Sequence, residues 1–101
     1  MLIYNTSFHV EDKVHDNFLI WLKECYIPQA GESGVLRLPR LLRLLSHQEE
    51  GSTSYSLQWE VENSGELHKW HLQQGAGLQD ELSKIFGHDV VAFPTLMEIV
   101  E

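Results

Sequence analysis

An α+β fold, with helices laid over one face of a small antiparallel sheet, is what this sequence of 101 residues predicts. Three observations predict it. Four stretches have strand character, either alternating apolar and polar residues or forming apolar runs too short for a long helix. Two other stretches repeat their apolar residues at helical spacing. The order along the chain is strand, helix, strand, strand, helix, strand.

From Leu2 to Val10 the chain alternates: Leu2, Tyr4, Phe8 and Val10 share a face with Thr6, opposite Ile3, Asn5, Ser7 and His9. This is the pattern of a half-buried strand. Glu11 and Asp12 place negative charge at the positive end of the helix that follows. Val14, Phe18, Trp21, Leu22 and Cys25 form an apolar stripe that predicts a helix from Lys13 to Tyr26. Pro28 has no amide hydrogen and disfavours helix at Ile27, so the helix is expected to stop there. Gln29 to Gly34 reads as a loop.

Val35 to Glu62 predicts a hairpin. Its first arm has leucines at odd and even positions: by parity Leu36, Leu38, Leu42 and Leu44 leave one face, and Val35, Leu41 and Leu45 the other. Both faces of this arm therefore need covering. The turn, Ser46 to Ser52, is polar, and Gly51 supplies the positive φ such turns often need. In the returning arm Tyr55, Leu57, Trp59 and Val61 oppose Ser54, Ser56, Gln58, Glu60 and Glu62; which sheet face carries Trp59 is left open by the pattern. Asn63 and Ser64 can cap a second helix whose inner side holds Leu67, Trp70, Leu78, Leu82, Ile85 and Phe86. Gly75 and Gly77 predict a kink or break, and Gly87 a stop. Asp89 to Val100 reads as a last strand, and Pro94 puts it at an edge or a bulge.

Two βαβ halves of this kind give the ferredoxin-like βαββαβ arrangement, a four-stranded antiparallel sheet with both helices on one face. Residues 1–101 are expected to form one domain. The sheet's second face would be an apolar patch larger than monomers usually tolerate, which points to a homodimer.

Composition bounds the function classes. Fifteen acidic against seven basic residues give a net charge of −8, which opposes approach to nucleic-acid phosphates. No apolar run approaches the ~20 residues that cross a bilayer, and the N-terminus lacks the basic and apolar segments of a secretory signal. A cytoplasmic protein with neither a nucleic-acid nor a membrane partner is expected. The single Cys25 fits a reducing compartment.

Tyr4-Asn5, Trp21-Leu22-Lys23 with Ile27-Pro28, Arg40-Leu41-Leu42-Arg43, and Val91-Ala92-Phe93 with Thr95-Leu96 resemble the short bacterial proteins of domain-of-unknown-function family 4286. The resemblance spans nearly the whole chain. It implies similarity in fold to the dimeric α+β barrels, in which two such sheets enclose a cavity, and it implies no catalytic residue.

Arg37, Arg40 and Arg43 are the chain's only arginines. By parity Arg37 and Arg43 leave one face while Arg40 lies among Leu36, Leu38, Leu42 and Leu44. An arginine in an apolar face needs either a carboxylate or a ligand; the salt bridge is the plainer reading, an anion at a cavity mouth the sharper one. His68 and His71 are three apart with Glu66 nearby, but no third ligand follows at a recognised metal spacing, so no metal site is expected. His9, His15, His47 and His88 read as solvated, and Cys25 as a core residue. Trp21 and Trp70 read as core; Trp59 could line a cavity.

The leading expectation is a homodimer binding a small molecule or protein partner in or near an inter-sheet cavity, with Asn5, Arg40, Arg43 and Trp59 as ligand-binding candidates and no cofactor. The alternative is a small cofactor-free or heme-handling enzyme. The chain is similar in fold to heme-degrading monooxygenases, which use an asparagine in the first strand and a tryptophan in the third, where Asn5 and Trp59 stand. The histidine those enzymes carry late in the second helix is missing: Asp80 to Ile85 occupy that place.

Overall fold

A computed structural model describes residues 1–46 and 49–101. Strand β1 (Leu2–Glu11) leads through a short turn of helix into α1 (His15–Trp21). A π-turn, Leu22–Tyr26, follows, and then α2 (Ile27–Gly31). Strands β2 (Arg37–Arg43) and β3 (Ser52–Val61) form the hairpin. The second helical arm repeats the design of the first: α3 (Ser64–Trp70), a π-turn at His71–Gly75, and α4 (Ala76–Phe86). Strand β4 (Val90–Glu98) closes the chain. The sheet is antiparallel in the order β2-β3-β1-β4, the ferredoxin-like arrangement, with β4 and its Pro94 on an edge.

The first helical arm continues past Pro28 instead of ending there. The Ile27 amide donates to the Leu22 carbonyl, a five-residue step, and this wider turn relieves the clash a proline ring makes with the preceding turn. In the second arm Asn63 caps as expected: its Oδ1 accepts from the Glu66 amide at 2.9 Å. The kink expected near Gly75 is the π-turn. Ile85, expected inside, is exposed.

The core lies between the sheet and the two arms. Phe8, Val10, Phe18, Leu22, Leu36, Leu57, Trp59 and Val61 are its largest fully buried side chains, and Phe18 packs edge-on against Phe86 at 5.8 Å. Trp59 is thus on the helix side. It stands opposite Tyr4 in the β1–β3 ladder, and its ring passes close under Gly31 of α2.

Strand β2 departs from simple parity. Its register with β3 slips between Arg37 and Arg40, and Leu38 there adopts φ 53°. Pro39 cannot donate to a ladder, so the slip falls where a hydrogen bond was unavailable. The extra residue reverses the alternation on one side of it. Leu36 consequently enters the core at 1% exposure while Leu42 stays on the opposite face. Arg37 stands opposite Glu60 and Arg40 opposite Gln58, sharing the open face, whereas Arg43 stands opposite Tyr55 on the helix-side face. The pairing of Arg37 with Arg43 on one face is therefore corrected. The turn ends on Gly51 at φ 85°; His47 and Gln48, at its tip, lie outside the described residues.

Candidate functional site

The open face of the sheet is built in rows across β2, β3, β1 and β4. One row runs Arg40, Gln58, Asn5, Thr95; the next runs Leu42, Ser56, Ser7, Phe93. Leu44, whose amide bonds to the Ser54 carbonyl, extends the pattern toward Ser54, His9 and Val91. Polar side chains therefore fill the middle of these rows, and apolar ones stand at both margins of the Ser7 and His9 rows; in the row beyond Asn5, Ile3 stands between Glu60 and Met97. Phe93 is 59% exposed; Val91 and Met97 are exposed on its own strand, and Leu42 and Leu44 at the opposite margin.

Within the polar middle Asn5 is held on both sides. Its Nδ2 donates to Ser7 Oγ at 3.1 Å, and its Oδ1 accepts from Ser56 Oγ. Asn5 is buried although it faces away from the helices, because its neighbours crowd over a short side chain. His9 Nδ1 lies 3.2 Å from Ser54 Oγ, and its Nε2 3.7 Å from Glu49 Oε2.

The four expected site residues divide between the two sides of the sheet. Asn5 and Arg40 come together on the open face, joined by Gln58. Trp59 is core on the helix side, and Arg43 belongs to that side too. The sheet itself separates the Asn5–Trp59 pair of the heme-degrading resemblance. Arg40 is exposed instead of sunk among leucines, and among the described residues no carboxylate lies within 4.0 Å of any arginine. His68 and His71 are both exposed, and the described residues hold no cluster of three His, Cys, Asp or Glu side chains suited to a metal ion. His15, expected to be solvated, is partly buried: its Nε2 meets the Tyr55 hydroxyl at 2.7 Å and its ring stacks on Tyr55.

A second concavity lies between the sheet and the helical arms, where Tyr4, Thr6, Tyr26, Trp70, His71 and Gln79 meet. Its inner volume is about 40 Å³. Two aromatic contacts wall it, Tyr4 against Trp70 at 6.2 Å and Phe8 against Tyr26 at 6.5 Å. Burial, reinforced by Tyr4, pushes the Tyr26 phenol above its ordinary pKa, so it stays protonated. Sequence reasoning missed this slot. The one available signal was Thr6, the single polar residue on the otherwise apolar inner face of β1.

No helix among the described residues is long and apolar enough to cross a membrane. The family model "Domain of unknown function (DUF4286)" matches residues 1–100. No curated protein matches the chain. A solved structure described as "a putative antibiotic biosynthesis monooxygenase" from Deinococcus radiodurans is similar with a TM-score of 0.70 and 19% identity, over 100% of this chain and 94% of that one. At that identity the likeness speaks for the fold alone.

Proposed function

We propose, from the premise that this chain belongs to the DUF4286 family, that it works as a homodimer whose two open sheet faces close on each other and hold a small polar molecule between them. One observation carries this reading: on the open face Gln58, Asn5, Ser56, Ser7, Ser54 and His9 form a polar middle, flanked in the Ser7 and His9 rows by apolar margins. The margins supply apolar area to bury against a second copy. The polar middle, once covered, needs partners for its hydroxyl and amide groups, which water or a ligand provides.

Charge favours a second copy as the occupant. Two chains of net charge −8 repel, yet this face carries Arg37 and Arg40 against Glu60. It is therefore a part of the surface where acid does not dominate. Arg40, in one row with Gln58 and Asn5, offers a guanidinium to a carboxylate or phosphate oxygen. Arg40 and Asn5 are the residues assigned to the ligand; Trp59 and Arg43 face elsewhere and are not. A monooxygenase reading has less support, since it rests on the neighbour's name while Asn5 and Trp59 stand on opposite faces.

Sedimentation of the purified chain at micromolar concentration tests the first half, with a dimer expected and a monomer overturning it. Native mass spectrometry of that dimer tests the second: added mass that Arg40→Ala loses supports the chamber, and added mass indifferent to Arg40→Ala removes Arg40 from it.

A further inference from the structure

His9 and Ser54 face each other across the β1–β3 ladder on the open side of the sheet. His9 Nδ1 lies 3.2 Å from Ser54 Oγ, and Glu49 sets its Oε2 3.7 Å from Nε2 of the same ring. A carboxylate, an imidazole and a hydroxyl thus follow one another. The ionised carboxylate favours a proton on Nε2, which leaves the Nδ1 lone pair to accept from the Ser54 hydroxyl. In that order of groups a serine can pass its proton to the ring as it attacks. The pair is open to a reactant, since the His9 side chain is 35% exposed.

Ser7 can supply a donor to the other side of the reacting group. It stands diagonally from Ser54 in the ladder, a backbone separation of ~7 Å that leaves room for a carbonyl between the two hydroxyls. Asn5 Nδ2 donates to Ser7 Oγ at 3.1 Å, so the Ser7 oxygen accepts there and its own proton is free to be donated. The Ser56 hydroxyl, by contrast, already donates to Asn5 Oδ1. A hollow of about 470 Å³ joins these groups, with Leu44, Val91 and Phe93 in its wall. Among the described residues no lysine or arginine lines it while Glu49 does, so it suits a neutral reactant with a short apolar group.

We infer that Ser54 is the nucleophile of a carboxylic-ester hydrolase. His9 is its general base, Ser7 donates to the oxyanion, and Glu49 is a positioning residue that fixes the His9 proton on Nε2. Ser54 Oγ bonds to the ester carbonyl carbon as its proton passes to His9 Nδ1. The alcohol then leaves with that proton as its C–O bond breaks. Water, giving a proton to the same Nδ1, attacks the acyl-serine; the acid departs and Ser54 recovers its proton. All four residues belong to one protomer, so the inference goes beyond the dimer and is tested independently of it.

The test is labelling of the full chain with a biotinylated alkyl fluorophosphonate: Ser54 Oγ bonds to phosphorus, fluoride leaves and His9 takes the proton. Peptide mass spectrometry should place the label on Ser54, and cleavage of p-nitrophenyl butyrate should cease as labelling completes. The labelling rate should rise between pH ~5 and ~8, where imidazoles lose their proton. His9→Gln should slow it about 100-fold or more, and Ser7→Ala about tenfold or more, with circular dichroism unchanged because both side chains are partly exposed. The imidazole ¹⁵N shifts should show neutral His9 protonated at Nε2, and Glu49→Gln should mix the two tautomers. A folded chain that takes no label, a label on another residue, a rate indifferent to pH or to His9→Gln, or native His9 protonated at Nδ1 each overturns the inference.

Discussion

Gly75 is where a single missing side chain decides local structure. A Cβ placed there would stand 2.5 Å from Trp70 Cζ3, closer than any real contact, and the indole, 3% exposed, would have to shift within the core. Gly75→Ala should therefore destabilise the protein by roughly 1–3 kcal/mol, the usual cost of overpacking, despite alanine's better helix propensity. Urea denaturation measures it; an unchanged midpoint would mean that the ring moves freely. Tyr26 gives a second prediction. In the unfolded chain tyrosine ionises near pH ~10, whereas burial holds the folded phenol neutral beyond that. The native state thus binds more protons in the alkaline range. Stability should be at full value below pH ~10 and fall as pH rises toward the folded pKa. Tyr26→Phe should flatten that alkaline fall, read from urea midpoints at a series of pH values.

At the scale of elements, most boundaries were legible because they rest on local periodicity. The apolar stripe of the first helix and the alternation in β1 and β3 each name their buried side without outside help. Proline misled where its context relieved it. Pro28 predicts an end, yet the π-turn before it widens the helix enough to carry the chain on to Gly31. In β2 a parity count from Leu36 to Leu44 assumes an unbroken ladder, and Pro39 breaks it. The bulge holds exposed Leu38 at φ 53°, a conformation that suits glycine and strains a residue with a Cβ. Leu38→Gly should raise stability by up to about 1 kcal/mol, the relief of a left-handed residue less glycine's extra chain entropy. Thermal and urea unfolding together check it, and a clear loss would mean that the Leu38 side chain is packed after all.

At the scale of the molecule, two helical arms cover one side of the sheet and its other side is left with apolar margins. If a second copy covers that side, Phe93→Glu should convert dimer to monomer in light scattering with the circular dichroism unchanged, because Phe93 is 59% exposed in the single chain and its loss opens no cavity. A dimer that survives Phe93→Glu would place the contact elsewhere. What the amino-acid order determined by itself was the number, kind and succession of elements and which face of most of them is apolar, since those follow from repeats of two and of about 3.6 residues. Only the tertiary structure decided that Asn5 and Arg40 share a surface that Trp59 and Arg43 do not, and that Thr6, Tyr26 and Trp70 surround one slot. The first depends on which strands pair and in what register, which sets Asn5 beside Gln58 and Gln58 beside Arg40. The second joins residues from β1 and two separate π-turns, far apart in sequence, and no local repeat records which distant segments will pack together.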